Sequence, residues 1–229
     1  MTGSNAAAAS IGPEARDVTG RPRRKHLGIV FVAVVILTAA AFFAIGRLSA
    51  GPASVSDAGP DAGFARDMQA HHAQAVEMAL LIRDKSANEE IRTVAYDIAT
   101  TQQQQNGQMF AWLQDWGLSQ TGSAPPMAWM GSGPAGHEGG TGHSGQPGAT
   151  GRMEGMATPE QMQTLRASSG AEADRLFTDL MIRHHQGGVA MATAAVSLAE
   201  TARVRDFAAR IVEAQSAEIT ALQELRGRL

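Results

Sequence analysis

The chain of 229 residues contains no cysteine, which excludes disulfides, thiolate metal sites and cysteine nucleophiles. Aromatic residues make up only 5% of it, and a formal charge of −3 leaves neither sign in large excess. Without a basic or acidic imbalance, nothing points to nucleic acid or an acidic polymer as partner. No serine or carboxylate pair is placed as nucleophile and base, so hydrolysis has no support. Methionine and histidine are present instead: all but one of the 11 Met and all but one of the 7 His lie beyond residue 47.

One long apolar run interrupts the chain. Residues 1–26 are small and polar and end in Arg21, Arg23, Arg24 and Lys25; Leu27 to Gly46 is then uncharged throughout. A helix of that length spans roughly 30 Å, the thickness of a bilayer core. The basic cluster precedes the run, so the positive-inside rule places residues 1–26 in the cytoplasm and the chain after the anchor outside. A signal peptide cut after Ala50 is the rival reading. Cleavable apolar regions usually run about 7–15 residues, and this one is longer, which favours an uncleaved anchor at 27–46. Residues 47–60, rich in Gly, Pro, Ser and Ala, read as a stalk.

The remainder, 61–228, reads as two helical blocks, 61–118 and 158–228, joined by a Gly- and Pro-rich segment at 119–157 that reads as a flexible connector. The blocks are copies at a single offset of 113 positions (184 minus 71). At that offset Asp61, Phe64, Met68, His71, His72, Val76, Met78 and Ala79 meet identical residues, from Asp174 to Ala192. The register runs on without a gap, pairing Arg92, Ala95, Ile98 and Gln102 with Arg205, Ala208, Ile211 and Gln215. Capping signals divide each copy into a hairpin: Ser86-x-x-Glu89, Thr158-Pro159-Glu160-Gln161, Ser169-x-x-Glu172 and Thr201. Neither hairpin can bury its apolar face alone, so the expected fold is an all-α four-helix bundle made from two duplicated hairpins, preceded by one transmembrane helix.

With Met68 at zero and about 100° per residue, Asp61, Phe64, Ala75, Ala79 and Ile82 form the stripe expected to be buried. His71 and His72 straddle it, Met78 follows two turns beyond His71, and the intervening residue is small, Ala75 in one copy and Gly188 in the other. Two imidazoles and two thioethers thus share a face, repeated as Met181, His184, His185 and Met191. A single such motif reads more readily as packing, because methionine fills cores and buried histidines pair internally. Four imidazoles clustered only for packing would be costly to desolvate, which favours metal binding. Gln102, Gln105, Gln215 and Glu218 face inward from the partner helices and suit the task of orienting the rings.

The donor set selects the metal. A di-iron bundle supplies Glu-x-x-His, whereas Met68 and Met181 stand three residues before His71 and His184. Thioether with imidazole favours copper, Cu(I) especially; zinc would use the imidazoles but leave the methionines without a role. The connector adds Met127, Met130, His137, His143, Met153 and Met156, which read either as an inert spacer or as a copper-collecting arm. The two alternatives to a binding protein are a metal-dependent oxidase and a non-metal interaction module that senses pH through its histidines.

The paired segments DAGFARDMQAHHAQAVEMA and DRLFTDLMIRHHQGGVAMA resemble the bacterial family known as "domain of unknown function 305". The resemblance covers about residues 61–118 and 153–228. It implies a ferritin-like bundle of two hairpins and an association with extracytoplasmic copper handling, for which a copper-handling protein partner is expected. The ligands it carries over are Met68, His71, His72, Met78 and their copies. The long Gly/His connector departs from the family's compact domain.

Overall fold

A computed structural model describes residues 23–49, 55–132 and 153–229, in two compact units, Met1–Ala53 and Ser54–Leu229. The described part of the first unit is one helix, α1 (Arg23–Ser49). Its stretch Gly28–Ile45 has a mean hydropathy of 2.8 and buries none of its residues. It is long and apolar enough to cross a membrane.

The second unit is helical, with α2 (Pro60–Lys85), α3 (Glu89–Asp115), a 3-10 turn (Ala128–Ser132), α4 (Pro159–Ala167), α5 (Gly170–Leu198) and α6 (Ala202–Arg228). Among the described residues there is no strand. α2 pairs with α3 and α5 with α6, as the duplication requires, and the two hairpins meet along α2 and α5. These two run antiparallel. Asp61 at the start of α2 accepts from the backbone N–H of Glu200 (2.7 Å) and Thr201 (3.0 Å) beyond the end of α5. Lys85, at the other end of α2, donates to the carbonyls of Leu165, Arg166 and Ser168 ahead of α5. Small buried residues occur on both helices, Ala75 and Ala79 on α2 in one apolar cluster and Ala192 and Ala195 on α5 in the other. α3 and α6 meet through larger side chains, Trp112 lying edge-on to Phe207 at 4.8 Å.

The stripe Asp61, Phe64, Met68, Ala75, Ala79 and Ile82 is buried throughout. Complete burial of a side chain the size of Phe64 or Phe177 contributes about 2–3 kcal/mol each, so the duplicated apolar faces supply the driving force for docking one hairpin on the other. Each capping signal has its own outcome. Thr158 forms the full capping box with Gln161, and the Thr201 hydroxyl accepts from the Val204 N–H. The cap of α3 is Asn88 rather than Ser86: its Oδ1 accepts from Glu90 and Ile91, while Ser86 ends α2 and its hydroxyl oxygen accepts from the Asn88 N–H. Both residues are good caps, and the chain uses the one adjacent to the helix. Ser169 occupies the N-cap of α5 without a side-chain cap bond, next to Gly170 in the left-handed region (φ +56°).

The described parts of the connector are packed on the bundle rather than free. Asp67 accepts from the Met127 N–H (2.7 Å) and the Trp129 indole N–H (2.8 Å). Trp129 is 4% exposed and lies over Gly63, where a Cβ would come within 2.4 Å of the indole. A buried indole that size outweighs the glycine-rich composition around it. Residues Met153 to Ala157 form a strap across α2 and α5. Gln74 grips it through both amide atoms, donating to the Ala157 carbonyl (2.9 Å) and accepting from its N–H (2.7 Å). His137 and His143 lie outside the described residues.

Candidate metal centre

The second unit's core is two apolar clusters separated by a polar layer. One cluster contains Phe64, Met68, Met109 and Met191; the other contains Met78, Ile82, Phe177 and Met181. Between them lie His71, His72, His184 and His185, each 0% exposed, with Gln102 and Gln215 also buried. The duplication creates this layer: because α2 and α5 are antiparallel, the approximate two-fold axis relating the hairpins passes between His71 and His184. Their ring centroids are 3.8 Å apart, and those of His184 and His185 are 6.4 Å apart.

The hydrogen bonds follow the same symmetry. His72 Nε2 lies 2.7 Å from Gln105 Oε1, and His185 Nε2 lies 2.6 Å from Glu218 Oε2. In each pair the ring N–H donates to the oxygen, and Nδ1 on the far side of the ring has no partner. The two halves differ in charge: an amide holds one ring and a carboxylate the other. His71 Nε2 lies 3.3 Å from the Glu154 carbonyl in the strap. The Nδ1 atoms of all four histidines, and Nε2 of His184, are buried and have no hydrogen-bond partner. A buried polar atom left in that state costs about 1–3 kcal/mol. Gln102 and Gln215 carry four more such atoms, two each.

Burial also sets protonation. Desolvation, opposed by the Glu154 carbonyl and aided by His185, lowers His71 to about 4. Desolvation and then the neighbouring His71 lower His72 to about 3, against the support of Gln105. His184 is pushed well below its ordinary value by burial first and then by His71, His185 and His72. These three rings are therefore neutral at physiological pH, the form that ligates metals.

The structure brings the four imidazoles and Gln105 and Glu218 into one layer, but it spreads the methionines along the bundle. Met68 and Met181 precede the rings by three residues, about 4.5 Å of helix rise, on opposite sides of the layer. Met78 and Met191 follow His71 and His184 by seven residues, about 10 Å of rise. All four are 0% exposed. Among the described residues, no three His, Cys, Asp or Glu side chains are grouped so as to hold a metal by themselves. An ion here would need thioether donors in addition to imidazole. The orphaned Nδ1 atoms, with thioethers in the apolar clusters on either side of the layer, are donor types that suit a soft cation.

Sequence reasoning missed the strap. Gly155 is left-handed (φ +80°), and a Cβ on it would come within 2.4 Å of the Arg183 carbonyl. A Cβ on Gly187 would lie 2.0 Å from the Glu154 carbonyl. Gly187 and Gln74 are equivalent positions in the two copies, and both touch the strap: one yields to it and the other grips it. The signal available was the Gly187-Gly188 pair in a helix interior, where glycine costs about 1 kcal/mol and often marks a close approach.

The family model described as "Domain of unknown function (DUF305)" matches residues 61–226. No curated protein matches the chain. Among solved structures the chain is similar to a DUF305 protein of Streptomyces coelicolor, with 40% identity and a TM-score of 0.65 over 75% of this chain and 96% of that one. A DUF305 fragment from Deinococcus radiodurans is 30% identical, with a TM-score of 0.59, over 78% of this chain and 100% of the fragment. CopM in its Cu(II)-bound form is 26% identical, with a TM-score of 0.53, over 73% of this chain and 96% of that one.

Proposed function

The chain belongs to the DUF305 family, and on that premise we propose that it is a membrane-anchored, extracytoplasmic protein that sequesters Cu(I) or passes it on. The observation that carries this reading is the set of four buried Nδ1 atoms without partners in the layer around His71 and His184. Desolvated imidazoles, with thioethers about one turn of helix away, offer a soft donor set. His71, His72, His184 and His185 supply nitrogen, Met68 and Met181 the nearest sulfur, and Met78 and Met191 flank the layer. Gln105 and Glu218 hold the ring tautomers of His72 and His185, a role that partners of ligating histidines commonly fill. Gln102 and Gln215 provide further polar atoms at the same level. The likeness to CopM, whose structure holds Cu(II), supports copper over zinc.

On this reading α1 anchors the protein in the cytoplasmic membrane, with residues 1–26 inside and the bundle outside. A copper-handling protein would receive the ion. The pH-sensing alternative is disfavoured, because burial takes His71 to about 4 and His72 to about 3, away from the range in which a sensor must switch. The oxidase alternative lacks a supporting observation, since Met68 and Met181 stand where an iron site has carboxylates.

The test is competition for Cu(I) against a colorimetric chelator, using the full chain in detergent micelles beside a His71→Ala/His184→Ala variant of equal helicity. The reading expects tight binding by the parent and a loss of at least about tenfold in the variant. Equal affinity in the two proteins would remove the histidine layer from the account.

A further inference from the structure

The connector's methionines do not scatter over the surface. Met127, Met130, Met153 and Met156 all pack against the apolar cluster that contains Met68. Two of them flank the strap residue nearest the rings: the Glu154 carbonyl lies 3.3 Å from His71 Nε2, with Met153 one residue before it and Met156 two after. Met127, Met130 and Met156 are partly exposed, whereas the four histidines are 0% exposed. Met153 and Met156 thus sit on the strap that touches His71, and Met127 and Met130 on a partly exposed edge of the same apolar cluster.

The placement of Met127 is not what packing alone would select. Its φ is +67°, and it is the one non-glycine residue with positive φ among those described. That conformation costs a residue with a side chain roughly 1 kcal/mol or more. Asp67 holds it there by accepting its N–H, and the same carboxylate fixes Trp129 between Met127 and Met130. Backbone strain maintained by dedicated contacts points to a role for the side chain so positioned. An unbranched thioether is also a soft ligand, and packing makes no use of that property.

We propose that Met127, Met130, Met153 and Met156, with Met68, form a thioether site for a soft monovalent cation at the mouth of the histidine layer. Cations enter there and pass beneath the strap to His71. The direction of transfer rests on the copper reading above, whereas the thioether site itself does not require the histidines to bind.

Silver(I) nitrate, a soft cation without redox chemistry, serves as the probe. The full chain in chloride-free detergent micelles, labelled with 13C at the methionine methyls, is titrated and followed by NMR. The methyl signals of the four connector methionines are expected to shift both in the parent and in a variant with His71, His72, His184 and His185 changed to alanine. A variant with Met127, Met130, Met153 and Met156 changed to leucine, equal in helicity, should bind fewer silver equivalents by about one. Connector methyls that stay fixed while other methionines respond, or an unchanged silver count in the leucine variant, would overturn the proposal. If the parent and the alanine variant bind silver equally through the connector, the histidine reading fails and the thioether site stands. Should the alanine variant not fold, the parent's methyl spectrum alone decides.

Discussion

Three glycine-to-alanine substitutions in helix interiors should have three different signs, because the same Cβ meets three different surroundings. In an unobstructed helix the change gains about 1 kcal/mol from reduced backbone freedom in the unfolded chain and better helix propensity. Gly107 in α3 has nothing within 4 Å of the added atom, so Gly107→Ala should realise that gain. At Gly188 the atom would meet Gln215 Oε1 at 2.3 Å, the end of a side chain that can rotate, and the gain should largely cancel. At Gly187 it would meet the Glu154 carbonyl oxygen at 2.0 Å and its carbon at 2.6 Å, which are backbone atoms of the strap. Either the strap lifts, losing the Glu154 contact to His71 and the two bonds between Ala157 and Gln74, or α5 moves. Overpacking costs about 1–3 kcal/mol and each lost hydrogen bond about 1 kcal/mol, so Gly187→Ala should destabilise by about 2–4 kcal/mol after the propensity gain. Urea unfolding of the full chain in micelles, followed by the fluorescence of Trp112, Trp116 and Trp129, measures all three. If Gly187→Ala is as stabilising as Gly107→Ala, with the strap equally resistant to protease, the strap's role in the bundle is refuted.

Further predictions concern charge and protonation. Unfolded histidine titrates near 6.5, whereas folded His71 stays neutral to about 4 and His72 to about 3. The stability these rings support is therefore complete above pH 6.5 and falls as pH drops toward 4 and 3, by about 3 kcal/mol for His71 alone. Urea midpoints between pH 7.5 and 4.5 should record the decline, and a flat profile would contradict the burial argument. Glu218→Gln should make the His185 half of the layer resemble the His72–Gln105 half and weaken Cu(I) binding by about tenfold in chelator competition, with unfolding little changed. An unaltered affinity would show that the carboxylate does not act through His185. Asp61 and Asp174 are equivalent in sequence but not in bonding: Asp61 accepts two backbone N–H groups and the Thr201 hydroxyl, while Asp174 Oδ1 is buried without a partner. Asp61→Ala should cost about 2–4 kcal/mol and Asp174→Ala clearly less, and equal losses in urea unfolding would count against this asymmetry.

The bundle's helices and the histidine layer were readable because both arise from local periodicity and exact repetition. A buried stripe at helical spacing appears twice at one offset; whether the two His pairs would meet was open in the sequence, and the antiparallel docking of α2 on α5 brings His71 to His184. Of the four residues expected to orient the rings, Gln105 and Glu218, repeat partners like His72 and His185, bond them, whereas Gln102 and Gln215 are buried beside the layer and bond no ring. The strap was not readable. Glu154 and His71 are separated by 83 residues, and the strap belongs to no repeat, so only the folded chain brings them together. Low-complexity composition around Trp129 concealed a buried anchor whose acceptor, Asp67, lies on α2. The α3 cap was misplaced by two residues because Ser86 and Asn88 are equally good caps and their choice depends on where α2 ends. Soft donors were legible by residue type, but which sulfurs adjoin the rings depends on helix rise and antiparallel register.

X-ray absorption at the copper K-edge of the full chain loaded with Cu(I) in micelles tests the central claim most directly. The account predicts a first shell of imidazole nitrogen together with sulfur, with the nitrogen component lost when His71, His72, His184 and His185 are replaced by alanine. A shell of oxygen and nitrogen without sulfur, or one unchanged by the histidine replacements, would contradict it.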